Sequence, residues 1–111
     1  KASRQTALEM RATGTHWAFT PNVEVARDAR WGRVGETFGE DPFLVGQMGA
    51  ATVRGLQTSD FTGQDKVLAC TKHFIGGSQP VNGINGAPTV HCTRFSCLLL
   101  KIVWMRAHIL S

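Results

Sequence analysis

Residues 41–73 read DPFLVGQMGAATVRGLQTSDFTGQDKVLACTKH, and they hold a helix start and a strand in close succession. Asp41 suits an N-cap, because its carboxylate can accept hydrogen bonds from the free N–H groups of a first helical turn. Pro42 then falls at the first helical position, where its missing N–H costs nothing. Leu44, Met48 and Ala51 recur at i, i+4 and i+7, and Val45, Gly49, Val53 and Leu56 widen the stripe. The spacing predicts a helix over 42–57. A polar connection, 58–66, follows. Val67-Leu68-Ala69-Cys70-Thr71 is then a short, nearly continuous apolar run, the pattern of a strand buried on both faces of a parallel sheet.

The flanks repeat this rhythm. Residues 2–12 are good helix formers, and Thr13-Gly14 reads as a helix end, since Gly takes the left-handed C′ conformation without steric cost. Trp17 to Val25 carries aromatic and β-branched residues around Pro21, which predicts a strand over 17–25. Residues 26–40, ARDARWGRVGETFGE, show neither helical nor strand periodicity and read as a long charged loop. Lys72-His73 closes the second strand, before a loop with four glycines and two prolines, FIGGSQPVNGINGAPT. Helix, strand, loop, helix, strand, loop is the order of an α/β protein with right-handed crossovers. Such folds place their chemistry in the loops after strand C-termini.

Composition excludes several classes. With 42 % hydrophobic and 18 % charged residues among 111, the chain is not wholly disordered. No apolar run approaches the roughly 18 residues of a membrane span. The formal charge is +4, but all eight acids precede residue 90, and Arg94, Lys101 and Arg106 follow with none. The basic balance thus belongs to the tail and gives no reason to expect nucleic acid as a partner. Cys70, Cys92 and Cys97, with His91 and His108, do not form a zinc pattern. Cys70, inside the apolar run, reads as a buried thiol.

Three constellations carry chemical potential. Arg30-Trp31-Gly32-Arg33 offers planar forks of donors suited to carboxylates or to sugar hydroxyls, beside a flat apolar ring. Its other readings are a loop whose arginines pair with Glu36, Glu40 and Asp41, or a phosphate- or nucleic-acid-binding loop. Lys72-His73 is either a binding pair at a strand end or a residue pair whose histidine is satisfied in the core. Hydrolases often use a pair of carboxylates, and Glu36 and Glu40 stand four apart in the loop, flanked by arginines. Neighbouring arginines favour their ionised form, so salt-bridging scaffold is the better reading of both.

Taken together, residues 19–57, FTPNVEVARDARWGRVGETFGEDPFLVGQMGAATVRGLQ, and 67–89, VLACTKHFIGGSQPVNGINGAPT, resemble the N-terminal catalytic domain of glycoside hydrolase family 3. The resemblance covers residues 1–89 and implies an α/β fold, part of a (β/α)8 barrel with about two strands and their helices. It implies that Arg33, Lys72 and His73 bind the sugar in the −1 subsite. Asp28, Arg30, Trp31, Glu36, Glu40 and Asp41 resemble the motif scaffold that orients the loop. The family is a retaining one; its nucleophilic Asp and acid/base Glu belong to later segments, so no catalytic carboxylate is expected here, and no metal or cofactor. The continuation after His73 is most similar to the β-glucosidase branch, with β-xylosidase as the alternative within the family. A non-catalytic carbohydrate- or anion-binding module is the alternative outside it. An oligosaccharide or β-glucoside is the expected partner, and family members suggest a periplasmic or secreted setting. Residues 90–111 match none of the family pattern and are expected to be an aberrant or frameshifted tail. The 111 residues are expected to be an inactive fragment.

Overall fold

A computed structural model describes residues 1–60, 62–73 and 77–88. Its regular elements are helix α1 (Ala2–Ala12), strand β1 (Trp17–Ala18), helix α2 (Pro42–Gln57) and strand β2 (Leu68–Ala69). Single 3-10 turns lie at Val34–Glu36 and Val81–Gly83. The expected tail, 90–111, is outside the described residues.

Asp41 caps α2 as its position predicts. Its carboxylate accepts from the Phe43 N–H at 3.0 Å and the Leu44 N–H at 3.4 Å, with Pro42 next in line. The helix buries a face rotated by one residue from the stripe led by Leu44. Val45, Gly49, Val53 and Leu56 are buried, whereas Leu44 and Met48 are 46 % and 43 % exposed and Ala51 is exposed too. Partners decide this. Leu56 packs with Ala7 of α1, Ala18 of β1 and Val67, while Val45 packs with Val23 and Val25 beyond β1. Gly55 lets the two helices touch, since a Cβ there would lie 2.6 Å from Ser3 Cβ. The polar connection before β2 is tied back to α1, with Arg4 paired to Asp65 and Arg11 Nε donating to Gln64 O at 2.6 Å.

The strands are parallel, in register Trp17 to Leu68 and Ala18 to Ala69, and they pair again at Asn22 and Lys72. Between those pairs the first segment advances four residues and the second three. One extra residue is therefore bulged out, where Pro21 has no N–H to give to the ladder. The Cys70 N–H lies 3.0 Å from both Ala18 O and Thr20 O across the bulge. The continuous strands expected over 17–25 and 67–71 are thus interrupted. The second is also not buried on both faces: Val67 is buried, but Leu68 is 44 % exposed and the Cys70 thiol is only half-buried. The helices cover one face of the pair, and among the described residues no second layer covers the other.

Candidate functional site

Past the bulge, the two strand ends bring Asn22, Glu24, Lys72 and His73 together, and the 26–40 loop adds Arg33 and Glu36. Glu36 is the hub. It receives Arg33 Nε at 2.8 Å, Arg33 Nη2 at 2.7 Å and Asn22 Nδ2 at 2.9 Å. Hydrogen bonds from Arg33 come first in holding its carboxyl at about 2, below the ordinary 4.5, with Asn22 and the charge of Lys72 adding to them. The same pairing raises the Arg33 pKa. Arg33 also lies over the Trp31 ring, 5.9 Å from its centroid, within cation–π range.

A guanidinium carries five N–H donors, and Glu36 takes only two from Arg33. Among the described residues the others meet no acceptor, on a side chain that is 30 % exposed. Arg33 is therefore a donor with its plane already fixed, which lowers the ordering cost of gripping a ligand hydroxyl. Lys72 is half-buried, and its charge reaches Glu36. On the second strand end, His73 Nδ1 lies 3.2 Å from Glu24 Oε1, and the Glu24 side chain is 2 % exposed.

Arg30 is engaged elsewhere. Its backbone N–H and its Nε donate to Asp28 Oδ1, both at 2.9 Å, and its Nη2 reaches Oδ2 at 2.7 Å. These bonds hold the Asp28 carboxyl at about 2. The arginine pairings expected with Glu36, Glu40 and Asp41 are therefore met only by Arg33 with Glu36. Arg30 pairs two residues back, Asp41 serves the helix cap, and Glu40 lies exposed. A shallow cavity of about 270 Å³ runs along Ala26–Ala29, Val34, Gly39 and Glu40, and Arg33, Lys72 and His73 do not line it.

The glycine-rich loop after His73 is docked onto the loop after β1. Ser78 Oγ donates to Val25 O at 2.6 Å in the interior, and Trp31 Nε1 donates to Asn85 Oδ1 at 3.1 Å. Gly83, at φ +73°, passes so close that a Cβ would lie 2.7 Å from Arg30 Cβ. Trp31 is 1 % exposed as a result and serves as the keystone of both loops. Sequence reasoning did not single out Asn22, Glu24, Ser78 or Asn85. The one available signal was Glu24 itself, a carboxylate between two valines at a strand end. Among the described residues no group of three or more His, Cys, Asp or Glu side chains is placed to hold a metal ion. No described helix is long and apolar enough to cross a membrane.

Residues 1–95 match the glycosyl hydrolase family 3 N terminal domain. The chain belongs to glycosyl hydrolase family 3. Among family relatives, a β-xylosidase of Formosa agariphila is 47 % identical over 92 residues, covering 78 % of this chain and 12 % of the relative. A lysosomal beta glucosidase of Dictyostelium discoideum is 38 % identical over 87 residues, covering 74 % of this chain and 11 % of the relative. A solved β-glucosidase of Listeria innocua, in complex with laminaribiose, superposes with a TM-score of 0.81 at 33 % identity, over 95 % of this chain and 15 % of that one. The chain therefore spans about an eighth of the length of such family 3 enzymes, and the shared region is α/β.

Proposed function

We propose that this chain supplies part of the sugar-binding wall of a family 3 β-glycosidase, built on two strands of a (β/α)8 barrel. The carrying observation is the group in which Glu36 fixes Arg33 and Asn22 next to Lys72, at the C-terminal ends of parallel strands. In this reading Arg33, Lys72 and His73 hold hydroxyls of the terminal sugar. Donors held in place fix the ring's position and orientation at the site of reaction. Terminal β-linked glucose is the substrate we favour, supported by the likeness of the 72–85 stretch to the glucosidase branch and by the Listeria innocua superposition. A β-xyloside is the second reading, favoured by the identity to the Formosa agariphila β-xylosidase.

A chimaera tests this. Residues 1–88 would replace the corresponding segment of the Listeria innocua β-glucosidase, with aryl β-glucoside and aryl β-xyloside as substrates. The proposal expects turnover, faster on the glucoside. Arg33→Ala and Lys72→Ala should each lower kcat/KM about ten- to hundredfold, the worth of one charge-assisted hydrogen bond of about 1.5–3 kcal/mol. Unchanged kinetics in both variants would reduce these residues to scaffold, and preference for the xyloside would select the second reading.

A further inference from the structure

Glu24 is the one buried carboxylate among the described residues, and neither the cap nor the Glu36 hub uses it. Its side chain is 2 % exposed. Burying a carboxylate is costly unless something answers its charge, so its retention at this strand end asks for a partner. The nearest is His73, whose Nδ1 is 3.2 Å from Glu24 Oε1 but lies off the line of a formed hydrogen bond. Nδ1 and Glu24 Oε2 are both buried without a hydrogen-bond partner among the described residues. The remainder of the His73 side chain is open, at 41 % exposure. The ring is thus buried at one nitrogen edge and accessible beyond it. The χ2 torsion of histidine is broad and two-fold, which leaves the ring freedom to turn toward the carboxylate.

The surroundings are shaped to keep Glu24 in place. A Cβ on Gly77 would lie 2.5 Å from Glu24 Oε1 and 3.5 Å from His73 Cβ. Only glycine leaves that niche open. Gly77 is held there by its neighbour Ser78, whose hydroxyl is bonded to Val25 O, one residue from Glu24. The charge of Glu24 also reaches Arg33.

We propose that Glu24 is a positioning residue: it holds the His73 Nδ1–H, fixing the ring's orientation and tautomer so that Nε2 faces the sugar as a hydrogen-bond acceptor. The catalytic relevance of this arrangement rests on the proposed sugar-binding role of His73, but the arrangement itself does not. A carboxylate behind an imidazole selects the tautomer presented on its far side.

The test is the imidazole nitrogen spectrum of the whole 111-residue chain, at pH about 8, above the ordinary histidine pKa of about 6.5. His73→Gln assigns the signal, and the bonded Trp31 indole N–H reports that the chain is folded. We expect the Nδ1–H tautomer at His73, retained in Glu24→Gln, which keeps an acceptor oxygen. In Glu24→Leu it should be lost in favour of the Nε2–H form that an unconstrained histidine side chain prefers. Gly77→Ala, which displaces the carboxylate without removing it, should also lose it and stands in if Glu24→Leu does not fold. An Nε2–H tautomer at His73 in the unaltered folded chain would overturn the assignment, as would an Nδ1–H tautomer surviving in Glu24→Leu or Gly77→Ala. No turnover is needed for this readout. An inactive chimaera would count against the proposed function alone.

Discussion

Arg33 and Arg30 are three residues apart, yet they have different tasks. Arg30 folds back on Asp28 and closes its own loop, whereas Arg33 is braced by Glu36 from a 3-10 turn. Both carboxylates are held at about 2, so each contributes stability that is complete above the ordinary carboxylate range and fades as pH falls through about 2. The sign follows from a folded-state pKa below the unfolded one. A carbon-detected titration should therefore find Asp28 and Glu36 still ionised near pH 3.5 to 4, where solvated carboxylates are taking up protons. Glu36→Gln should leave the Asp28 midpoint near 2 in place and loosen Arg33, visible as exchange broadening of its Nε–H. A Glu36 midpoint near 4.5 would show that the hub is not formed in solution.

At the level of elements, α2 depends on a local signal and on a distant one. The Asp41 cap satisfies two N–H groups of the first turn, and Asp41→Ala should cost about 1 kcal/mol. Leu56, 1 % exposed, joins α2 to α1 and to both strand segments. Its truncation to Ala leaves a cavity at that junction and should cost about 2–5 kcal/mol. Urea midpoints of the two variants should fall in that order, with Leu56→Ala the more damaging. Equal losses would mean that the helix is held by its cap rather than by its packing. The bulge at Pro21 matters at the same scale. It re-aims the chain after β1, so Val23 and Val25 pack on α2 while Glu24 meets His73.

At the scale of the molecule, one sheet face is covered among the described residues. Trp17, Phe19 and Leu68 are 53 %, 63 % and 44 % exposed, and Phe43, Leu44 and Met48 leave an apolar flank on α2. The pair of strands has no further strand beside it among the described residues, and sheets with open edges are prone to associate. Hydrogen exchange should find the greatest protection in α2 and weaker protection in β1 and β2. Strong, uniform protection across both strands would show a self-sufficient domain. In its relatives the chain corresponds to about an eighth of the enzyme. Assayed alone on an aryl β-glucoside, the 111-residue protein is expected to show no turnover above a denatured control. Turnover above that control would overturn this expectation.

Sequence alone determined whatever depends on neighbours within a turn or two. Asp41-Pro42 set the start of α2, Thr13 and Gly14 set the end of α1, and the order of elements set the α/β class. The R-D-A-R-W-G-R string with its distant K-H pair pointed to the family because it is a chemical pattern, legible without coordinates. Tertiary structure decided the choices that sequence left degenerate. Leu44 and Val45 are adjacent and similarly apolar, and only the positions of Val23 and Val25 selected the face with Val45. Several carboxylates were within reach of the arginines, and loop geometry gave Asp28 to Arg30 and Glu36 to Arg33. Glu24 and His73 lie on different strands, and no periodicity links them. They meet because parallel pairing brings two strand ends side by side, with a glycine where a side chain would have kept them apart.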